Sequence, residues 1–299
     1  MRDSRPGARW LPLFAAILWG TSFPLVQVAL RDLSPLQIAF LRAVLGSLSM
    51  GAVLWFQGEI PHPRTGRGWL QLFVVALIGT GIFWPLQNLA VARSTAVNAA
   101  FLTSTYPALV VILAPLVAHR PLHRRALAGS FVALAGAYLI ISGGRLLDLF
   151  ASKTLVGDLL ALLASLLAGL YILLVEVVDP QLGIRPSALT FFTFALSLPV
   201  LALVAARDPL PTQLHFDSLA ALLWLGVMTS TVAYLALTAG VASGGAASSA
   251  IQQMVTPLVA ALLTWLLFGT TLTPVQWAGA LLVLAGIFLE TPSSRSQRH

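Results

Sequence analysis

Charge is scarce in this sequence: Asp, Glu, Lys and Arg together make up 9% of its 299 residues, whereas 58% are hydrophobic. A soluble domain carries roughly a quarter of its residues as charged side chains, because its surface must be wetted. Water is thereby excluded as the solvent for most of this chain, which reads as an integral membrane protein. Cysteine is absent. That excludes disulfides, thiol catalysis and thiolate metal sites, and says nothing about compartment. Acidic residues are missing from the middle of every apolar run, with Asp158, Glu176 and Glu290 near run ends. The five histidines, His62, His119, His123, His215 and His299, fall in polar connections or the tail. His119 and His123 have ligand-like spacing, but Pro121 between them argues against a helix there. No metal, cofactor or catalytic residue is expected. An intramembrane enzyme would need a nucleophile with its base, or ligands on one helix face.

What is present is apolar helix. At about 20 residues per crossing, ten spans fit the chain, near 10–30, 35–56, 69–91, 95–118, 124–142, 156–178, 187–206, 217–241, 246–268 and 274–290. The opening "MRDSRPGARWLPLFAAILWGTSF" has the basic start of a signal peptide, but its apolar run continues to Leu30 without a small-residue cleavage site and is read as the first span. Thr273-Pro274 looks like a helix start, a capping hydroxyl before a first-turn proline. The net charge of +7 is spread singly or in pairs at the ends of apolar runs, where it orients a membrane protein; no nucleic-acid partner is expected. With a cytoplasmic N-terminus, that side holds Arg2, Arg5, Arg9, Arg64, Arg67, Arg120, Arg124, Arg125, Arg185, Arg295 and Arg298. The opposite side holds Arg31, Arg93, Arg145, Lys153 and Arg207. Both termini are therefore predicted to be cytoplasmic in a multi-pass protein of the cell (inner) membrane.

The chain repeats itself. Residues 91–139 lie on 241–289 without a gap, with 14 of 49 pairs identical, among them Val91/Val241, Ala96/Ala246, Pro107/Pro257, Leu122/Leu272, Gly129/Gly279 and Gly136/Gly286. A duplication is inferred, with halves 1–145 and 153–290 joined through "GGRLLDLFASK" and followed by a short cytoplasmic tail, 291–299. Five spans per half is an odd number, so the second half enters the membrane from the opposite face. That is an inverted repeat, an architecture of many secondary transporters. The opening "WGTSFP", the paired "YPALVVILAPLVA" and "TPLVAALLTWLLF", and the closing "AGSFVALAGAYLI" and "AGALLVLAGIFLE" resemble the drug/metabolite transporter superfamily, in its ten-span EamA branch. The resemblance implies export of small metabolites, often amino acids, by alternating access through a central cavity. One feature departs from it: the glutamate usual after the fourth and ninth spans is replaced by "HRPL" and "GTTL".

Candidate residues follow from polarity inside apolar helix. Pro107 and Pro257 each remove an N–H from a span, freeing the carbonyls of Thr103 and Gln253 and bending the helix. Either the freed carbonyls face the interior, or the prolines are packing kinks. On the fourth span Asn98, Leu102 and Thr105 share a face; on the ninth Ser249, Gln252 and Thr256 do so, with Gln253 beside them. Such stripes must meet a cavity or another helix, since amides are costly in lipid. The third and eighth spans pair Thr80 with Ser230, Trp84 with Tyr234 and Asn88 with Thr238. A ring beside hydroxyls and amides suits an amphipathic solute, although any one aromatic is equally a packing or interfacial residue. Trp19 and Tyr171 occupy similar places in the first and sixth spans. Arg42, about two turns into the second span, is expected to snorkel outward or make a structural hydrogen bond, with a counter-charge role for a carboxylate solute as the alternative.

Among functions, a channel would want rings of carbonyls or charge, and no such loop is evident. Nucleotide sugars and sugar phosphates would want several buried cations, and only Arg42 is available. Purines and drugs remain open alternatives. A small neutral or zwitterionic metabolite is preferred, hydrophobic or aromatic amino acids first, exported by facilitated diffusion or exchange because no midplane carboxylate is present to carry a proton.

Overall fold

The computed structural model describes residues 10–58, 62–119, 124–142, 153–244, 252–253 and 255–290. Among the described residues every regular element is helical, as the solvent requires: backbone groups with no water must bond within their own segment. In chain order these are α1 (Leu11–Ala29), α2 (Pro35–Phe56), α3 (Gly66–Ala76), a π-helical segment (Leu77–Ile82), α4 (Phe83–Arg93), α5 (Ala96–Thr103), α6 (Tyr106–Val117), α7 (Arg124–Ser142) and α8 (Leu155–Leu182). They are followed by α9 (Pro186–Ala205), α10 (Phe216–Leu223), a second π segment (Trp224–Val232), α11 (Ala233–Gly244), α12 (Val255–Phe268) and α13 (Pro274–Glu290).

Among the described residues seven stretches are long and apolar enough to cross a membrane: Leu11–Ala29, Pro35–Phe56, Gly66–Arg93, Ala96–Val117, Leu155–Val178, Pro186–Ala205 and Phe216–Gly240. Three shorter apolar helices, Leu127–Ser142, Val255–Phe268 and Pro274–Leu289, fall where further spans were expected. Side chains start several of them. Ser34 Oγ accepts from the Gln37 N–H while Gln37 Oε1 accepts from the Ser34 N–H, a reciprocal cap with Pro35 in the first turn. Thr273 and Gln276 repeat that cap before Pro274. The linker "GGRLLDLFASK" up to Ser152, the tail 291–299, Ser249, and Arg2, Arg5, Arg9, Arg120, Arg145, Arg295 and Arg298 lie outside the described residues.

Pro107 acts differently from the expected bend. The stretch Ala96–Val117 is broken, α5 ending at Thr103 and α6 starting at Tyr106 with Pro107 in its first turn. At the break the Thr105 N–H reaches back to Leu102 O, and the Ala108 N–H to Thr105 O. A proline is tolerated in a first turn because the N–H it lacks has no partner there. Pro257 lies likewise near the start of α12, as its third described residue, and is buried.

The packing joins distant parts of the chain. α1 lies against α11 and α12, α8 against α4, α5 and α6, α2 against α9, and α7 against α13. Glycine makes the last contact possible. A Cβ on Gly136 would stand 2.5 Å from Gly279 O, and one on Gly286 would stand 2.5 Å from Gly129 O, so the two backbones touch and the helices run antiparallel. The outer surface is apolar, with Leu48, Trp55, Leu116, Phe131, Leu203, Trp265 and Leu281 all exposed, as a lipid-facing wall requires.

Beyond the end of α1, Asp32 takes hydrogen bonds from Ser218, from the backbone N–H of His215 at 2.8 Å and from His215 Nδ1 at 2.7 Å. These partners, Ser218 first, hold its carboxylate at about 2 against an ordinary 3.8. A carboxylate whose folded pKa lies below its unfolded value stabilises in full above the unfolded value, and that contribution fades as pH falls toward the folded one. The difference in melting temperature between the wild type and Asp32→Asn in detergent is therefore expected to be constant above 3.8 and to close as pH falls toward about 2; a difference that persists through that window contradicts the linkage. In the same assay Gly136→Val is expected to cost about 3 kcal/mol or more. Gly66→Ala, where a Cβ meets open space, is expected to be neutral or to stabilise by up to about 1 kcal/mol.

Candidate functional site

The two π segments widen the helix to i→i+5 bonding and change which side chains share a face. Their carbonyls find side-chain partners. Ser197 Oγ donates to Ala76 O at 2.8 Å. Leu225 O accepts from Thr229 Oγ1 at 2.7 Å and from Ser230 Oγ at 2.8 Å, the latter five residues on. Trp19 Nε1, from the "WGTSFP" opening, donates to Thr229 O at 2.9 Å. In a hydrocarbon environment such side-chain donors help to satisfy carbonyls that the wider turn leaves less well paired.

The hydroxyls of Thr229 and Ser230, oriented in this way, receive Arg42. Its Nη2 donates to Thr229 Oγ1 and its Nε to Ser230 Oγ, both at 3.1 Å. The guanidinium carbon stands 4.2 Å from the centre of the Trp84 ring. Arg42 is 4% exposed, so the outward snorkelling favoured from its position near the start of α2 does not occur. It turns inward because two hydroxyls and an aromatic face wait there, near the middle of the stretch Phe216–Gly240. Its Nη1 has no hydrogen-bond partner. Among the described residues no carboxylate pairs with it. A guanidinium keeps its proton in proteins, so a full charge stands here, eased only by hydroxyl dipoles and a ring face.

Aromatic rings continue from that point. Trp84 tilts on Phe194 with centroids 5.1 Å apart, Phe194 meets Tyr234 edge-on at 6.0 Å, and Tyr234 meets Trp19 edge-on at 5.2 Å. The Tyr171 ring presses on Gly79, where any side chain would collide, and Thr80 is buried in the same π segment. Hydrogen bonds and ring contacts thus bring together Trp19, Arg42, Trp84, Ser230 and Tyr234, while Tyr171 packs on Gly79 next to the buried Thr80 in the first π segment.

Other candidates are drawn elsewhere. Asn98 Nδ2 donates to Asp158 at 3.2 Å, and Thr105 Oγ1 meets Ser165 Oγ at 2.9 Å, so the fourth-span stripe is applied to α8. Gln252 Oε1 accepts from the Leu13 N–H at 2.9 Å, Gln253 Nε2 donates to Pro12 O at 2.8 Å, and Thr256 donates to Ala16 O at 3.2 Å. That stripe is applied to α1, where Gln252 satisfies a free first-turn amide. Asn88 Nδ2 donates to Pro35 O at 3.0 Å, tying α4 to the start of α2. Asp158 is buried in the first turn of α8, with Ser94, Thr154 and Asn98 as donors, and Gln276 extends the cluster to α13 through Asn98 Oδ1.

Thr229 and Phe194 were not among the sequence candidates. An α-helical period treats neighbours such as Thr229 and Ser230 as facing apart, whereas in the π segment both hydroxyls serve Arg42. Phe194 lies in an apolar run with no polar neighbour to mark it.

The EamA-like transporter family matches the chain twice, over residues 7–142 and 155–291. A protein of Archaeoglobus fulgidus described as an uncharacterized transporter is 32% identical over 278 residues, covering 92% of this chain and 94% of its own. Protein PecM of Dickeya dadantii is 25% identical, covering 92% and 89%. A probable terminal-alkyne amino-acid exporter of Streptantibioticus cattleyicolor is 22% identical, covering 94% and 92%. A solved crystal structure superposes with a TM-score of 0.68 at 17% identity over 100% of this chain and 99% of its own, a likeness of fold. With its multiple apolar helices and a family match on both sides of the 143–154 connection, the chain belongs to the EamA-like transporter family.

Proposed function

We propose that this chain is a carrier in the cell (inner) membrane that exports small organic metabolites, amino acids with apolar or aromatic bodies first among them, by alternating access. It works through the interior region around Arg42, between two inverted five-helix halves whose termini are cytoplasmic. It is not an enzyme. The observation that carries this reading is the Arg42 guanidinium, set on Trp84 of its own half and on Thr229 and Ser230 of the other.

Reciprocal contacts support the inverted halves. A shift of 150 residues turns Gly129 into Gly279 and Gly136 into Gly286, and it turns the observed Gly136–Gly279 contact into the observed Gly286–Gly129 contact. Gly20 of α1 also packs on Thr256 and Val259 of α12, and Gly169 of α8 on Tyr106 and Val110 of α6, a similar though not position-for-position pairing. Related helices that cross antiparallel through matched residues are what a two-fold axis in the membrane plane produces. The two separate family matches agree with it. The amino-acid preference rests on the rings beside the cation and on the printed name of the Streptantibioticus cattleyicolor relative.

Counterflow into liposomes, screened across amino acids, nucleosides and sugar phosphates, tests the proposal. Saturable exchange of an amino acid is expected, and flux linear in concentration would indicate a pore instead. Trp84→Ala removes the face under Arg42, a contact of about 2 kcal/mol when desolvated, and is expected to lower thermal stability by about that amount and to weaken exchange. Gln252→Ala is expected to lower thermal stability by about 1 to 3 kcal/mol through the freed Leu13 amide while leaving solute affinity near the wild-type value. Exchange is also expected to proceed without an imposed pH gradient. Strict dependence on such a gradient would point to a proton-carrying group that the proposal lacks.

A further inference from the structure

The interior region holds one cation, a chain of aromatic rings and several hydroxyls. Of the five N–H groups of Arg42, one on Nε and one on Nη2 are committed to Ser230 and Thr229, while Nη1 is buried with no acceptor. Among the described residues nothing supplies one, and no carboxylate there pairs with Arg42. A guanidinium edge left free in a low dielectric strongly favours an anion, and a planar carboxylate matches its geometry better than any neutral oxygen. Phosphate is a poorer match, because a dianion would want further cations and only this one is at hand.

The opposite charge has no such place. Asp158, the buried acid of the bundle, is turned to Ser94, Thr154 and Asn98 at the start of α8. Asp32 is held by His215 and Ser218 beyond the end of α1. An ammonium in the Arg42 region would meet only hydroxyls and ring faces, next to a like charge.

We infer that the group this site reads is a carboxylate attached to an apolar body, with no need for an amino group. Monocarboxylates bearing an aromatic or alkyl body are solutes in their own right, and an amino acid is accepted through its carboxylate alone. The inference rests on the carrier reading and narrows it: Arg42 Nη1 takes the carboxylate, and Trp84, Phe194, Tyr234 and Trp19 take the body.

Three probes of matched shape test it: phenylalanine, 3-phenylpropanoate without the ammonium, and phenethylamine without the carboxylate. Each is titrated into the purified full chain in detergent at neutral pH, and of the fluorescence change of its eight tryptophans the part that Trp84→Phe abolishes reports on the ring beneath Arg42. Both acids are expected to give saturable changes, and the amine none. Arg42→Gln is expected to weaken both acids at least about tenfold, with Arg42→Lys retaining part of the affinity, and Trp84→Phe is expected to reduce the optical signal. If Arg42→Gln does not fold, the three-probe comparison on the wild type decides. Binding of phenethylamine as tight as that of phenylalanine overturns the inference, and so does a failure of 3-phenylpropanoate to bind. Transport is read separately, by inhibition of counterflow. Acids that bind but do not exchange would leave the carboxylate site standing and remove the carrier reading. Saturable exchange of uncharged solutes without acid binding would do the reverse.

Discussion

A positive charge sits inside an apolar helical bundle, no carboxylate among the described residues meets it, and much of the surrounding structure is arranged around that fact. Burying an unpaired ion is expensive, by several kcal/mol even after relaxation. The cost is offset piecemeal: a ring face beneath Arg42 and two hydroxyl dipoles at 3.1 Å. Those hydroxyls are available because the helix that carries them is wound as π over Trp224–Val232, where Thr229 and Ser230 both bond back to Leu225 O. Trp19 in turn satisfies the Thr229 carbonyl. The cation, the wide turn and the tryptophan of the first helix therefore depend on one another.

The polar residues away from the cation have a different task. Asn98 and Thr105 bond to α8, and Gln252, Gln253 and Thr256 bond to α1, so both polar stripes grip a neighbouring helix far away in sequence. Between apolar helices in lipid there is no hydrophobic drive to associate, and hydrogen bonds with close glycine contacts take its place. The Gly136–Gly279 and Gly129–Gly286 contacts seal the far edge where α7 meets α13. Stability and the placement of the interior region are thus assigned to separate sets of residues.

Most of the architecture was legible in the sequence because a membrane imposes length and apolarity on each helix, and both are visible in composition. The matched prolines and glycines that suggest a repeat are visible in the sequence itself, and the family model matches separately on each side of the 143–154 connection. Individual roles were less legible. Arg42 lies near a helix start, where snorkelling is the usual outcome, and only the partners from residues 229 and 230 reveal why it turns inward. The glutamines looked like cavity wall since an amide in lipid needs a reason, but the reason was a first-turn amide on a helix 239 residues away in sequence. Thr229 escaped notice because the period of the helix changes there, and no residue type announces a π segment. Asp158 was recognised as lying near a span end, yet its enclosure by Ser94, Thr154 and Asn98 depends on packing between α4, α5 and α8.

The central claim is that the region around Arg42 opens to each side of the membrane in turn. The chain has no cysteine, so Ser230→Cys would carry a single thiol beside the cation. In sealed vesicles of both orientations, a membrane-impermeant thiol reagent is predicted to label that cysteine from either face, and a bound carboxylate is predicted to protect it. A thiol that stays unlabelled from both faces while the protein remains folded would contradict the account, leaving Arg42 a sealed element of the packing.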